Sequence, residues 1–121
     1  MKIKITGIGS YIPALKIHNT DFDKHVFLNE DGSAFAYPND VVISKFKGIT
    51  GIEQRRYAED HLNSSDLAFF ASEKAIEDAK IDPETIDYII YAHNFGDVNH
   101  GTIQTDTLPS LATRVKNKLQ I

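Results

Sequence analysis

The sequence predicts an α/β fold, with a small, mostly parallel sheet and flanking helices. Three observations carry this. Residues 2–12 begin with the strand-like alternation Lys2-Ile3-Lys4-Ile5, and residues 86–92 (Ile86-Asp87-Tyr88-Ile89-Ile90-Tyr91-Ala92) form a compact apolar run. Between and after them, apolar residues recur at helical spacing. Strand, helices, buried strand and helix is the order of an α/β unit, whose parallel strands are joined by a right-handed crossover.

In the first segment, Ile3, Ile5 and Ile8 point one way, while Gly7 and Gly9 leave room for another backbone, that of a neighbouring strand. Pro13 ends the strand, because proline cannot donate to a ladder. Thr20-Asp21 offers an N-cap for a short helix holding Phe22, Val26 and Phe27. Asn29, Asp31, Gly32, Ser33, Pro38 and Asn39 mark residues 29–39 as a loop. Asn39 or Asp40 then caps a helical stretch through Val42, Ile43 and Phe46, stopped by Gly48. A short strand is expected from Ile52 to Tyr57.

Asn63-Ser64-Ser65-Asp66 is a capping cluster placed before Leu67, Ala68, Ala71, Ala75, Ile76 and Ala79, which form one helical stripe. Asp82-Pro83-Glu84 is a capped turn, and the apolar run at 86–92 reads as a strand covered on both faces. A polar loop from His93 to Thr107 follows. Thr107-Leu108-Pro109 opens a last helix with Leu108, Leu111, Ala112, Val115 and Leu119 on one face. Arg114, Lys116 and Lys118 suit the negative end of its dipole.

A chain of 121 residues, 41% hydrophobic and 25% charged, falls in the range of one globular domain, and no internal boundary is expected in 1–121. With 13 basic and 17 acidic residues, a net charge of −4 argues against nucleic-acid binding. No apolar run is long enough to span a bilayer. The N-terminus lacks the apolar block of a signal peptide, and there is no cysteine, so a cytoplasmic location is the expectation.

Lys4-Ile5-Thr6-Gly7-Ile8-Gly9-Ser10-Tyr11-Ile12-Pro13, followed by Ile49-Thr50-Gly51-Ile52-Glu53-Gln54-Arg55-Arg56-Tyr57, resembles the opening of a β-ketoacyl-acyl-carrier-protein synthase III. Ser65-Asp66-Leu67, Ile86-Asp87-Tyr88-Ile89-Ile90 and Leu108-Pro109-Ser110 continue the likeness in family order. The resemblance implies a partial thiolase-like half. It also implies that the complete enzyme joins an acyl thioester to malonyl-carrier protein by decarboxylating Claisen condensation, with acyl carrier protein and acyl thioester as partners. The family works through a cysteine at a helix N-terminus, assisted by a histidine and an asparagine, and needs no cofactor. This chain has no cysteine, and none of His18, His25, His61, His93 or His100 matches the family histidine. No catalytic residue is therefore nominated, and the chain alone is expected to be inactive.

By the same resemblance, Thr50 lies near a substrate channel and Leu108 reaches into a neighbouring subunit's acyl pocket. Asn94, Phe95, Asp97 and Leu108 are expected at a homodimer interface. Lys45 stands where many members carry a tryptophan that stacks on coenzyme A, Ile49 replaces a frequent arginine, and the loop from Phe27 to Asp40 is longer. These departures favour a carrier-protein donor.

Plainer readings stand beside these. Gly7-Ile8-Gly9 lacks the third glycine of a dinucleotide fingerprint. His93, Asp97 and His100 share a loop but lack the spacing of a metal site, so no metal is expected. Arg55 and Arg56 either touch a phosphate of a carrier arm or coenzyme A, or pair with carboxylates such as Glu53 or Glu59. For the chain as a whole, a free-standing, non-catalytic interaction module that binds a synthase or carrier protein is the alternative. An unrelated small α/β binding domain is a third.

Overall fold

The capping cluster at residues 63–66 starts a long helix in the computed structural model, which describes residues 2–121. Asn63 takes the N-cap position, and its backbone N–H donates to Asp66 Oδ2 at 2.8 Å. This helix, α2 (Ser64–Ala79), ends where Lys80 adopts a left-handed conformation with φ 52°. Its partner is α3 (Leu111–Leu119), and the two pack together. Leu111 and Val115 are each 1% exposed. Helix α3 opens later than the sequence suggests. Pro109 disfavours helical backbone at Leu108, and the Ser110 hydroxyl accepts from Thr113 N at 3.2 Å to supply the cap. Leu108 therefore lies outside the helix and is exposed. A short 3₁₀ turn, Pro83–Thr85, is capped by Asp82 as expected.

These elements belong to one of two compact units, which comprises the residues up to Pro13 together with Ala58–Ile121. Here the expected parallel sheet is corrected. Among the described residues, neither 2–12 nor 86–92 joins a ladder, and the only pairings in this unit are the antiparallel β3 (Asp97–Val98) and β4 (Thr105–Asp106). Residues 2–13 run against helix α2 instead. Ile8 N–H donates to Asp78 at 3.0 Å, Lys74 donates to the Ser10 carbonyl at 3.0 Å, and the Tyr11 and Phe70 rings lie 4.7 Å apart. The close approach at Gly7 and Gly9 is to the backbone of α2, not to a neighbouring strand. Parallel strands need covered neighbours on both sides, and Ile3, Ile5, Tyr88 and Ile90 remain 78–95% exposed.

The second unit is Ala14–Tyr57. Its ladder is antiparallel: β1 (Leu15–His18) pairs with β2 (Gln54–Tyr57), with Leu15 opposite Tyr57 and His18 opposite Gln54. The expected short helix after Thr20-Asp21 is one 3₁₀ turn, Asn19–Phe22, which leaves Val26 and Phe27 outside it. The loop that follows closes on itself through a bridge between Leu28 and Ala34. Asn39 ties this loop down by donating to the carbonyls of Asp23 at 2.8 Å and His25 at 2.7 Å. Helix α1 (Asn39–Thr50) has Pro38 at its N-cap and runs through Gly48, the residue expected to stop it. Gly51 ends it instead, with φ 68° and its N–H on the Lys47 carbonyl at 2.8 Å. Among the described residues the fold is thus α/β, with three α-helices and two short antiparallel pairs.

Candidate functional site

In the first unit, the polar loop before α3 is organised around Asp97, a carboxylate only 3% exposed. It is held where α2 begins. Ser65 N–H donates to Oδ1 at 2.8 Å and Ser65 Oγ to Oδ2 at 2.7 Å, so the start of the helix supplies both a positive dipole end and two donors. Arg114 NH1 adds a third contact at 3.0 Å. The same guanidinium donates to the Pro109 carbonyl at 3.0 Å and the Leu108 carbonyl at 2.9 Å, and it pairs with Asp106 at 2.7 Å. Arg114 therefore fastens both carbonyls flanking Pro109 to the hairpin β3–β4. The hydrogen bond from Arg114 lowers the Asp106 pKa, and the same bond raises that of Arg114. At Asp66, burial works toward a higher pKa, but the hydrogen bond from Lys118 and other favourable contacts outweigh it, and the net shift is downward.

This arrangement links Asp97 to Leu108, two residues picked out from sequence, through Arg114, which the sequence suggested only as a favourable cation near a helix end. Leu108 is 83% exposed, and Phe95 is also exposed. Asn94 lies in the same loop and is exposed. His93, Asp97 and His100 do not converge. His93 Nδ1 accepts from Gly96 N–H at 3.0 Å and His100 faces Asp60 at 3.2 Å, while Asp97 is held by Ser65 and Arg114. Among the described residues, no group of three potential ligands could hold a metal ion.

In the second unit, Thr50 is the last residue of α1 and is exposed. Its hydroxyl donates to the Phe46 carbonyl at 2.8 Å and accepts from Ile52 N–H at 3.2 Å, so it trims its own helix end. Arg56 donates to the Ala14 carbonyl at 3.3 Å across the ladder. Arg55 lines a cavity of about 270 Å³ with Asn19, Phe22, Phe27, Ile43, Phe46 and Tyr57. The carboxylates suggested as its partners are committed elsewhere: Glu53 pairs with Lys47 at 2.7 Å, and Glu59 lies 3.6 Å from His61. Arg55 donates to Asn19 Oδ1 at 2.8 Å instead. Sequence reasoning missed Asn19 and Ser65 as well as Arg114; the one available signal was an arginine following a loop that carries two aspartates.

No family model matches the chain. Curated relatives do. Over 119 residues the chain is 38% identical to the beta-ketoacyl-[acyl-carrier-protein] synthase III of Staphylococcus haemolyticus, covering 98% of this chain and 31% of the relative. It is 41% identical over 103 residues to the proteins of that name from Staphylococcus aureus strains JH1 and Mu3, covering 85% of the chain and 29% of each relative. The chain spans about 30% of the length of the curated relatives it matches, as an N-terminal portion would. The likeness noted in the sequence is thus one of homology along nearly the whole chain. Among the described residues, no helix is long and apolar enough to cross a membrane.

Proposed function

We propose that this homologue of the beta-ketoacyl-[acyl-carrier-protein] synthases III is the N-terminal portion of such an acyltransferase, one partial thiolase-like half without an internal domain boundary. The complete enzyme serves fatty acid or related lipid and polyketide synthesis. A cysteine outside these residues takes the acyl group from a thioester. Malonyl-carrier protein then loses carbon dioxide, and its α-carbon attacks the acyl carbonyl, giving a β-ketoacyl thioester and freeing the cysteine thiol. The observation that carries this reading is 38% identity along 98% of the chain, in a sequence that holds no cysteine.

In this reading Thr50, Arg55, Arg56 and Leu108 face substrate. Asn94, Phe95, Asp97 and Leu108 belong to the loop that meets a second subunit of a cytoplasmic homodimer. The exposure of Phe95 and Leu108 supports that role, because both offer apolar surface to a partner. The 121-residue chain is inactive alone, since nothing in it forms the acyl-thioester intermediate.

The test is to read the coding DNA past the codon for Ile121 and to assay both products for condensation of an acyl thioester with malonyl-carrier protein. The expected result is an open frame that encodes a cysteine, an active longer product and an inactive 121-residue chain. Acyl transfer by a mass-verified 121-residue preparation would refute the reading. A stop codon at that point would replace it with the non-catalytic interaction module.

A further inference from the structure

One cavity of the Ala14–Tyr57 unit gathers aromatic rings around Arg55, and we propose that it is a binding site for a small carboxylate with a compact, ring-sized apolar body, a role for Arg55 beyond the substrate contact proposed above. Three phenylalanines, Phe22, Phe27 and Phe46, line it with Ile43 and Tyr57. The Phe27 and Phe46 rings stand 6.2 Å apart, and Phe27 is backed by Phe35 at 6.3 Å. At about 270 Å³ it lies just under the usual range for drug-sized ligands and suits a single-ring molecule.

The charge at this site makes it selective. Arg55 is half-buried, and its guanidinium carbon sits 5.4 Å from the centre of the Phe22 ring. A guanidinium carries five N–H donors in a fixed fork, and Arg55 commits a bond only to Asn19 Oδ1. Among the described residues no carboxylate pairs with it, since Glu53 is taken by Lys47. Asn19 is itself pinned, its side chain donating to the Ile52 carbonyl at 2.8 Å and its backbone N–H to the Glu53 carbonyl at 3.2 Å. The cation–π contact with Phe22 and the pinned contact with Asn19 hold the guanidinium before any ligand arrives. Its other donors remain for an anion, in the paired geometry that a carboxylate matches. An uncompensated cation beside an aromatic-walled cavity of this size calls for a ligand that is apolar at one end and anionic at the other.

The test titrates the isotope-labelled chain with benzoate and, separately, with benzyl alcohol, which has the same ring and no charge. Amide shifts should saturate with benzoate and map to Phe22, Phe27, Phe46, Arg55 and Tyr57. Benzyl alcohol should bind at least tenfold more weakly. Arg55→Gln should bring the two ligands within about twofold of each other, whereas Arg55→Lys should keep a preference for benzoate. Equal affinities in the unaltered chain, shifts that never saturate, or shifts centred on other residues would overturn the proposal. The comparison of the two ligands in the unaltered chain decides the matter even if a variant fails to fold. Failure here is distinguishable from failure of the condensing-enzyme reading, because that reading is tested by condensation activity of the longer product and this one by ligand binding at Arg55.

Discussion

Replacing Gly9 by alanine would place a methyl group against the backbone of α2, 3.0 Å from Ala75 Cα and closer still to the Ala71 carbonyl and the Ala75 amide. The obstacle is helix backbone, which cannot rotate aside as a side chain end would. Gly9 does not have a positive φ, so the penalty is one of space and not of conformation. The chain has two ways to relieve it. It can compress, at the ~1–3 kcal/mol typical of overpacking. Otherwise residues 2–13 can lift from α2, giving up the Ile8–Asp78 and Lys74–Ser10 bonds, each worth on the order of 1 kcal/mol or less where exposed. Both routes lead to about 2 kcal/mol. With a urea slope of roughly 1–3 kcal/mol per molar for a small protein, the midpoint should fall by about 1 M. The Ile8 amide should also lose protection from hydrogen exchange. Gly48→Ala is the matched control: it sits inside α1 with nothing within 4 Å of the added methyl, and it should stabilise by about 1 kcal/mol. An unchanged midpoint together with unchanged protection at Ile8 in the Gly9 variant would refute the docking of this segment on α2.

Three further outcomes are expected. Ser65→Ala removes a 2.7 Å hydrogen bond to a carboxylate that stays buried, and should cost about 1.5–3 kcal/mol in denaturant titration. Lys80→Gly relieves a left-handed residue at the end of α2 and should stabilise by about 1 kcal/mol, read as a higher thermal midpoint. Asp106 has its pKa lowered in the folded chain from the ordinary 3.8, chiefly by the hydrogen bond from Arg114. A lowered folded pKa means that its stabilising contribution is complete above 3.8 and is lost as pH falls below that value. Amide protection of residues 105–108 should therefore drop on acidification through that window, and the drop should vanish in Asp106→Asn.

By itself the sequence determined what depends on neighbours in the chain. The start of α2 was legible in Asn63-Ser64-Ser65-Asp66, and its stripe in the spacing of Leu67, Ala71, Ala75 and Ala79, because capping and helical periodicity act over three or four residues. The capped turn at Asp82-Pro83-Glu84 and the lack of a cysteine nucleophile were equally readable. Tertiary structure decided every pairing across long separations. The apolar patterns at 2–12 and 86–92 implied strands, but a pattern does not name a partner, and residues 2–13 found the backbone of α2. Ser65 and Asp97 meet across 32 residues, and Arg55 and Asn19 across 36. Which carboxylate an arginine meets depends on the geometry of distant elements, so local spacing pointed Arg55 toward Glu53 while the fold gave Glu53 to Lys47. Arg114 read as a solvated cation on a helix, and only the return of the β3–β4 hairpin beside it made it the fastening of the Leu108 loop.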